Sequence, residues 1–283
     1  MRLQTRRYSV VVSIILSIAG IEAADAESLD IAVEDAAGPW SEKDGTGFAN
    51  EVVVAAYKAV DVNAKLQVMP YSRCKHLVVE GEIACCFSMS KVPELNETVA
   101  FADKPLFVCF ADYFQNTKKQ LTAASESELK KGTVVGTVEG YEYPLSFYRL
   151  KENGTIIVEE SATEELNLKK LADSRIDAAL INYNDVKPAE YLSAKAGVKG
   201  KIERAFRSGT LDSFIGFSKK HPKGPWALEK FNAGFKAIAE NGTLQAIQTR
   251  WKEIAAKKTE ELSTAEKKNA ASLPDTEPAG RKP

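Results

Sequence analysis

The chain has 283 residues, 38 basic against 39 acidic side chains, 44% hydrophobic residues, four cysteines and only two histidines. That length is enough for two compact lobes, and a net charge of −1 without a dense Lys/Arg stripe argues against a nucleic-acid binder, which needs a clustered basic surface to displace phosphate counterions. His76 and His221 stand far apart without spaced Cys or His partners, so neither a metal nor any other cofactor is expected.

At the N-terminus, Arg2, Arg6 and Arg7 precede an apolar stretch from Val10 to Gly20 interrupted only by serines, and Ala24-Asp25-Ala26 follows. This is the pattern of a secretory signal peptide over residues 1–26 with an A-x-A cleavage site. Its apolar core, roughly a dozen residues, is shorter than the ~20 a membrane span needs, and Arg6-Arg7 gives it a faint likeness to a twin-arginine signal. The first cysteine is Cys74, so none stands near the cleavage site for lipid attachment. The mature chain is expected to be exported to an oxidising compartment, free of direct membrane insertion.

Strand and helix periods then alternate. Leu29–Val33 reads as a strand, Gly38 to Gly47 as a turn-rich stretch, Asn50–Val60 as a helix, Lys65–Met69 as a strand, Ser72–Glu80 as a helix and Ile83–Met89 as a buried parallel strand. A β-α-β-α-β order implies a parallel sheet with right-handed crossovers. After a long apolar run from Val99 to Phe114 the series repeats: strand Thr133–Val138, loop Glu139-Gly140-Tyr141, helix Pro144–Leu150, strand Thr155–Val158, helix Thr163–Ala172, strand Ala178–Asn182. Leu211–Ser218 is a further strand, followed by helices Pro225–Glu240 and Thr243–Ala256, with Asn241-Gly242 as the stop between them. Two such series imply two α/β lobes: residues 27–108 and 211–256 forming the first, 109–210 the second. The chain crosses between them near 106–114 and 207–217. Lobes joined twice are a hinge design with a ligand cleft between them. Residues 257–283, Lys/Glu/Ala-rich and then Pro-rich, are expected to be a frayed helix end running into a disordered tail, with a partner-binding tail as the alternative.

Several short pieces stand in a telling order. They are Gly38-Pro39-Trp40 and Gly47-Phe48; Pro70-Tyr71-Ser72-Arg73; Ser88-Met89-Ser90 with Pro93-Glu94 and Val99-Ala100-Phe101-Ala102; Val135 to Gly140; Arg175 to Leu180; and Asn241 to Leu244 with Arg250-Trp251. In that order the chain resembles the family 3 extracellular solute-binding proteins over about residues 28–254. The resemblance implies a two-lobed Venus-flytrap of the type II periplasmic binding protein fold, each lobe a mainly parallel sheet flanked by helices and joined by two hinge strands. It also implies a periplasmic, monomeric receptor that closes on a small-molecule ligand and presents itself to an ABC permease in the inner membrane.

The residues fit that use. Trp40 can wall a ligand rigidly, and Ser88 and Ser90, at the carboxyl end of a parallel strand, can offer hydroxyls and N–H groups. Gly140 and Tyr141 precede a helix whose free N–H groups suit a polar group. Arg73 can hold a carboxylate, and Glu34 can take a cationic or hydroxyl group. Two positions depart from the family pattern: Leu95 stands where an arginine takes the α-carboxylate, and Asn182 where an aspartate takes the α-ammonium. Burying either charge without its partner costs several kcal/mol, so a simple zwitterionic amino acid is not the expected ligand. If a carboxylate binds, Arg73 has to supply the charge.

The cysteines lie at 74, 85, 86 and 109. Cys85 and Cys86 are neighbours on one strand and face opposite sides, so a disulfide from Cys74 to either is the expected pairing, with buried free thiols as the alternative. Function divides three ways: a transport receptor, an exported dehydratase-like enzyme using Glu34 or Glu139 as base, and a non-transport accessory or sensor partner. The receptor is the expected one, without catalysis.

Overall fold

The structure is a computed structural model that describes residues 27–271; residues 1–26, where the signal peptide is expected, and residues 272–283 lie outside the described residues. Strand β1 (Glu27–Glu34), helix α1 (Phe48–Lys58), β2 (Val62–Met69), α2 (Tyr71–Glu80) and β3 (Cys85–Met89) form the first β-α-β-α-β unit. In it β1 lies between its neighbours, parallel to β2 from Glu27 opposite Val62 to Glu34 opposite Met69, and parallel to β3. Alternation along β1 divides its side chains between two buried layers. Leu29, Ile31 and Val33 pack with Val52, Val53 and Ala56 of α1, while Ala32 faces Cys74, Val78 and Cys86.

The chain continues through β4 (Val99–Phe101), β5 (Phe107–Asn116), β6 (Thr133–Val138), α3 (Leu145–Glu152), β7 (Ile156–Ser161), α4 (Glu164–Ala172), β8 (Ala178–Tyr183), α5 (Ala189–Ala196), β9 (Ile202–Ser218), α6 (Gly224–Glu240) and α7 (Thr243–Ala271). Strand order is β2-β1-β3-β9-β5-β8-β6-β7, with β4 also on β9. Strand β6 is parallel to β7 and β8, whereas β5 and β9 enter antiparallel. Residues 202–213 of β9 pair with β5 and its last residues with β3 and β4, so one strand belongs to both lobes. Beside it runs the link from β4 to β5, where Ala102 N–H donates to Ile215 O at 3.2 Å and Leu106 N–H to Ser213 O at 2.7 Å. These two adjacent connections are the hinge of the flytrap.

Three elements differ from the sequence reading. Strand β9 begins at Ile202 rather than Leu211, because register shifts at Ala111/Asp112 and Tyr113/Phe114 break its alternation where charged residues face solvent. Helix α5 follows Pro188 and ends on Gly197 at φ 68°, too short for a clear helical period, yet it buries Tyr191 and Leu192. Helix α7 runs to Ala271, so residues 257–271 continue the helix rather than fraying into a disordered tail. Its Ala, Lys and Glu are good helix formers, no Gly or Pro interrupts it before Pro274, and Leu262 packs on the second lobe.

Helices α1 and α6 approach backbone to backbone: a Cβ on Gly234 would lie 1.9 Å from Ala56 O, so only glycine fits there. On the opposite face of the first sheet, the disulfide joins Cys74 of α2 to Cys86 of β3, with Cα atoms 5.9 Å apart; Cys85 and Cys109 are free and buried. A bridge across a sequence separation of 12 is worth about 3 kcal/mol by loop-closure entropy. Replacing both Cys74 and Cys86 by alanine is therefore expected to lower the unfolding free energy by about that amount in urea titrations, with the fold retained by circular dichroism.

Candidate functional site

Four strands end at one place. Glu34 is the last residue of β1, Ser88 and Ser90 lie at the end of β3, Tyr141 and Glu142 follow β6, and Asn182 stands near the end of β8. The carboxyl ends of parallel strands in both lobes thus face each other, the position where α/β sheets hold ligands. Glu34, Trp40, Ser88, Ser90, Phe107, Cys109, Tyr141, Glu142, Asn182 and Ser213 line a residual cavity of about 20 Å³, the space of one water molecule.

The cleft is this small because the lobes bond to each other directly. Tyr141 of the second lobe donates its hydroxyl to Glu34 of the first. Glu142, 4% exposed, reaches across to α2 and β3. Its Oε2 accepts from Tyr71 Oη at 2.6 Å and Ser90 N–H at 3.2 Å, and its Oε1 accepts from Lys75 Nζ at 2.9 Å. Lys75 also donates to the Gly140 carbonyl. Gly140 itself has φ +80°, and a Cβ there would come within 3.1 Å of Ser72, so glycine lets the second-lobe loop lie against α2.

A second charged group closes the far side. Lys187, with 0% of its side chain exposed, donates to Glu164 Oε2 at 2.5 Å, while Glu164 Oε1 accepts the Asn182 N–H at 3.0 Å. Glu164 stands in the first turn of α4, where the helix dipole favours a carboxylate. The Lys187 ammonium also sits 3.8 Å from the Trp40 ring centroid, and Phe107 packs on the same indole at 4.5 Å. Trp40 Nε1 donates to Asn184 Oδ1 at 2.9 Å. Trp40 is consequently covered by protein, 4% exposed.

Burial pushes the Glu34 carboxyl up to about 8, against the opposing pull of the Tyr141 hydrogen bond and Lys187. Burial likewise raises Glu164, with Lys187 pulling the other way. The Cys109 thiol is pushed up to about 12 by desolvation, which leaves it an inert lining group. Three buried polar atoms that line the cavity, Ser88 Oγ, Asn182 Oδ1 and Ser213 Oγ, have no hydrogen-bond partner.

Of the residues singled out in the sequence, the structure brings Glu34, Trp40, Ser88, Ser90, Tyr141 and Asn182 to one cavity, with Gly140 beside it. Arg73 is elsewhere. It is exposed and borders a surface depression with His221 and Lys223, because two residues along a helix from Tyr71 is the other face. Lys75, one turn after Tyr71, holds the place assigned to it. Leu95 packs in the cluster of Tyr71, Cys74 and Met89. Tyr71, Lys75, Glu142, Glu164, Lys187 and Ser213 were not legible as site residues. Glu142 had one available signal, its place in the loop directly after Gly140-Tyr141.

Two α/β lobes, two connections between them and a cleft at the strand ends make the fold of the type II periplasmic binding proteins. The chain matches the model of the bacterial extracellular solute-binding proteins, family 3, over residues 29–254, and belongs to that family. No curated protein matches it in sequence. Among solved structures it is similar to an ancestral arginine-binding protein bound to arginine, with 18% identity, TM-score 0.67, and 80% of this chain and 99% of that one covered. It is also similar to a histidine kinase sensor domain with similarity to periplasmic binding proteins, at 16% identity, TM-score 0.68 and coverage of 80% and 97%. A third likeness is to a substrate-binding protein of an ABC uptake transporter from Streptococcus pneumoniae with bound histidine, at 18% identity, TM-score 0.63 and coverage of 79% and 92%.

Because the Glu34 carboxyl is raised from 4.5 to about 8, its contribution to stability is complete below pH 4.5 and is lost as pH rises through 8. Glu34→Gln removes that dependence, so its stability relative to wild type is expected to climb between pH 5 and 8 (roughly the span between the two pKa values) in urea midpoints. A constant difference would sink the assignment. Lys187→Met leaves Glu164 buried without its partner and is expected to cost about 3–5 kcal/mol, most of it recovered in the double variant with Glu164→Gln.

Proposed function

We propose that the protein is a periplasmic receptor that captures a small polar solute between its lobes for an ABC permease, and that the solute is not a simple zwitterionic amino acid. Family membership and the likeness to a transporter's substrate-binding protein support the receptor reading. The observation that carries it is the set of unpartnered atoms, Ser88 Oγ, Asn182 Oδ1 and Ser213 Oγ, around one cleft. Each buried polar atom left unsatisfied costs about 1–3 kcal/mol, and a solute with hydroxyl or amide groups relieves that cost. The ligand class follows from charge. Leu95 and Asn182 are neutral, and the cations facing the cleft, Lys75 and Lys187, already have Glu142 and Glu164 as partners. A solute needs the lobes to part, since about 20 Å³ admits none.

That same closure favours a second reading, a sensor or accessory partner whose lobes stay joined. The likeness to a histidine kinase sensor domain agrees with it. Neighbouring genes separate the two: a permease and ATPase favour transport, a kinase or dehydrogenase the accessory role. Neither reading includes turnover of a solute.

A thermal-shift screen of the mature protein tests the receptor reading, with the twenty amino acids kept apart from a pool of hydroxy acids and from pools of sugars and other neutral metabolites. At 100 times its Kd a ligand adds about 2.7 kcal/mol to stability. The expected result is a shift from a non-amino-acid pool, with affinity lowered about tenfold by Asn182→Ala, the loss of one hydrogen bond. A shift confined to the amino acids overturns the ligand class, and no shift from any pool overturns the receptor.

A further inference from the structure

Every donor that holds the Glu142 carboxylate belongs to the first lobe, whereas Glu142 belongs to the second. Tyr71 and Lys75 lie one turn apart on α2, and the Ser90 N–H follows β3. The Cys74–Cys86 disulfide ties α2 to β3 between these donors, so their relative positions do not depend on where the second lobe stands. The result is a preorganised cradle: a tyrosine hydroxyl, a backbone N–H and an ammonium converge on two carboxylate oxygens. The occupant is a side chain on the loop between β6 and α3, which leaves the cradle whenever the lobes separate.

We propose that this cradle is a binding subsite for the carboxylate of a small hydroxy acid, and that Glu142 is its tethered stand-in, keeping the empty receptor closed until a free carboxylate displaces it. The ligand's hydroxyl groups then meet Ser88, Asn182 and Ser213, the unpartnered atoms beside the cradle. Lys75 gains no extra charge in the exchange, because one carboxylate replaces another. This deepens the receptor reading and rests on it for the identity of the solute, but the cradle can be tested without that solute.

The test is chemical rescue of Glu142→Ala with sodium acetate and sodium glycolate, against sodium chloride at equal ionic strength. Binding is followed by the Ser90 amide resonance, closure by small-angle scattering. The variant is expected to be more open than wild type in chloride and to bind either carboxylate at least tenfold more tightly than wild type does. Tyr71→Phe in the same background is expected to weaken acetate about tenfold. Glu142→Ser, which also empties the cradle but keeps a polar side chain, is expected to show the same gain and serves if the alanine variant does not fold. A folded variant that ignores both carboxylates, or a wild type that binds them equally well, overturns the proposal. A negative metabolite screen alongside successful rescue would overturn the receptor reading and leave the cradle standing, so the two failures are distinguishable.

Discussion

Lys187 has no solvent-exposed surface, and it stands there because Glu164 lies 2.5 Å away. An unpaired ammonium at that depth would cost several kcal/mol, while the pair together is neutral. Much of the second-lobe wall depends on this one contact. Glu164 begins α4 and uses its other oxygen to fix the Asn182 N–H, so helix and strand end are held in one register. The ammonium lies over Trp40 of the first lobe, whose indole is in turn anchored to Asn184. An ion pair in one lobe thereby sets the position of the principal aromatic side chain of the other.

Around that pair the cleft is balanced group by group. Glu142 is matched by Lys75 and Glu164 by Lys187, which leaves Glu34 as the carboxyl without a nearby cation of its own. Burial keeps Glu34 protonated well above the ordinary carboxylate range. The cleft therefore closes with no net charge trapped inside it. A closed form with such internal compensation needs no bound solute to neutralise it, and that is how the lobes meet through Tyr141 and Glu142 with so little space between them.

The fold was legible because its signals are local. Apolar periods of two and 3.6 alternate along the chain; Ser88 and Ser90 could be placed by the rule that ligands collect at strand ends, Tyr141 by the helix start that follows it, and Asn182 through the family resemblance. What stayed hidden depends on pairs distant in sequence. Lys75 meets Glu142 across 67 residues and Lys187 meets Glu164 across 23, and each looks by itself like an ordinary surface charge. Arg73 illustrates the same limit at the scale of one helix. Tyr71, Cys74 and Lys75 share a face by their spacing of three and four, and that face is turned away from Arg73. The continuation of α7 was hidden because few of its residues are apolar, although Leu262 finds a seat on the second lobe.

Helix α7 has a mechanical meaning for the hinge. Its 29 residues extend about 43 Å. Near its start Trp251 Nε1 is bonded to Glu51 of the first lobe at 2.8 Å, whereas Lys252 reaches Asp185, Leu262 packs among second-lobe residues and Ser263 accepts from Lys199. A rod fixed at one end to one lobe and resting along the other converts any rotation about the hinge into sliding at the α5–α7 contact. The exposed ion pairs along that contact resist little, so resistance to such sliding rests on the apolar seat of Leu262.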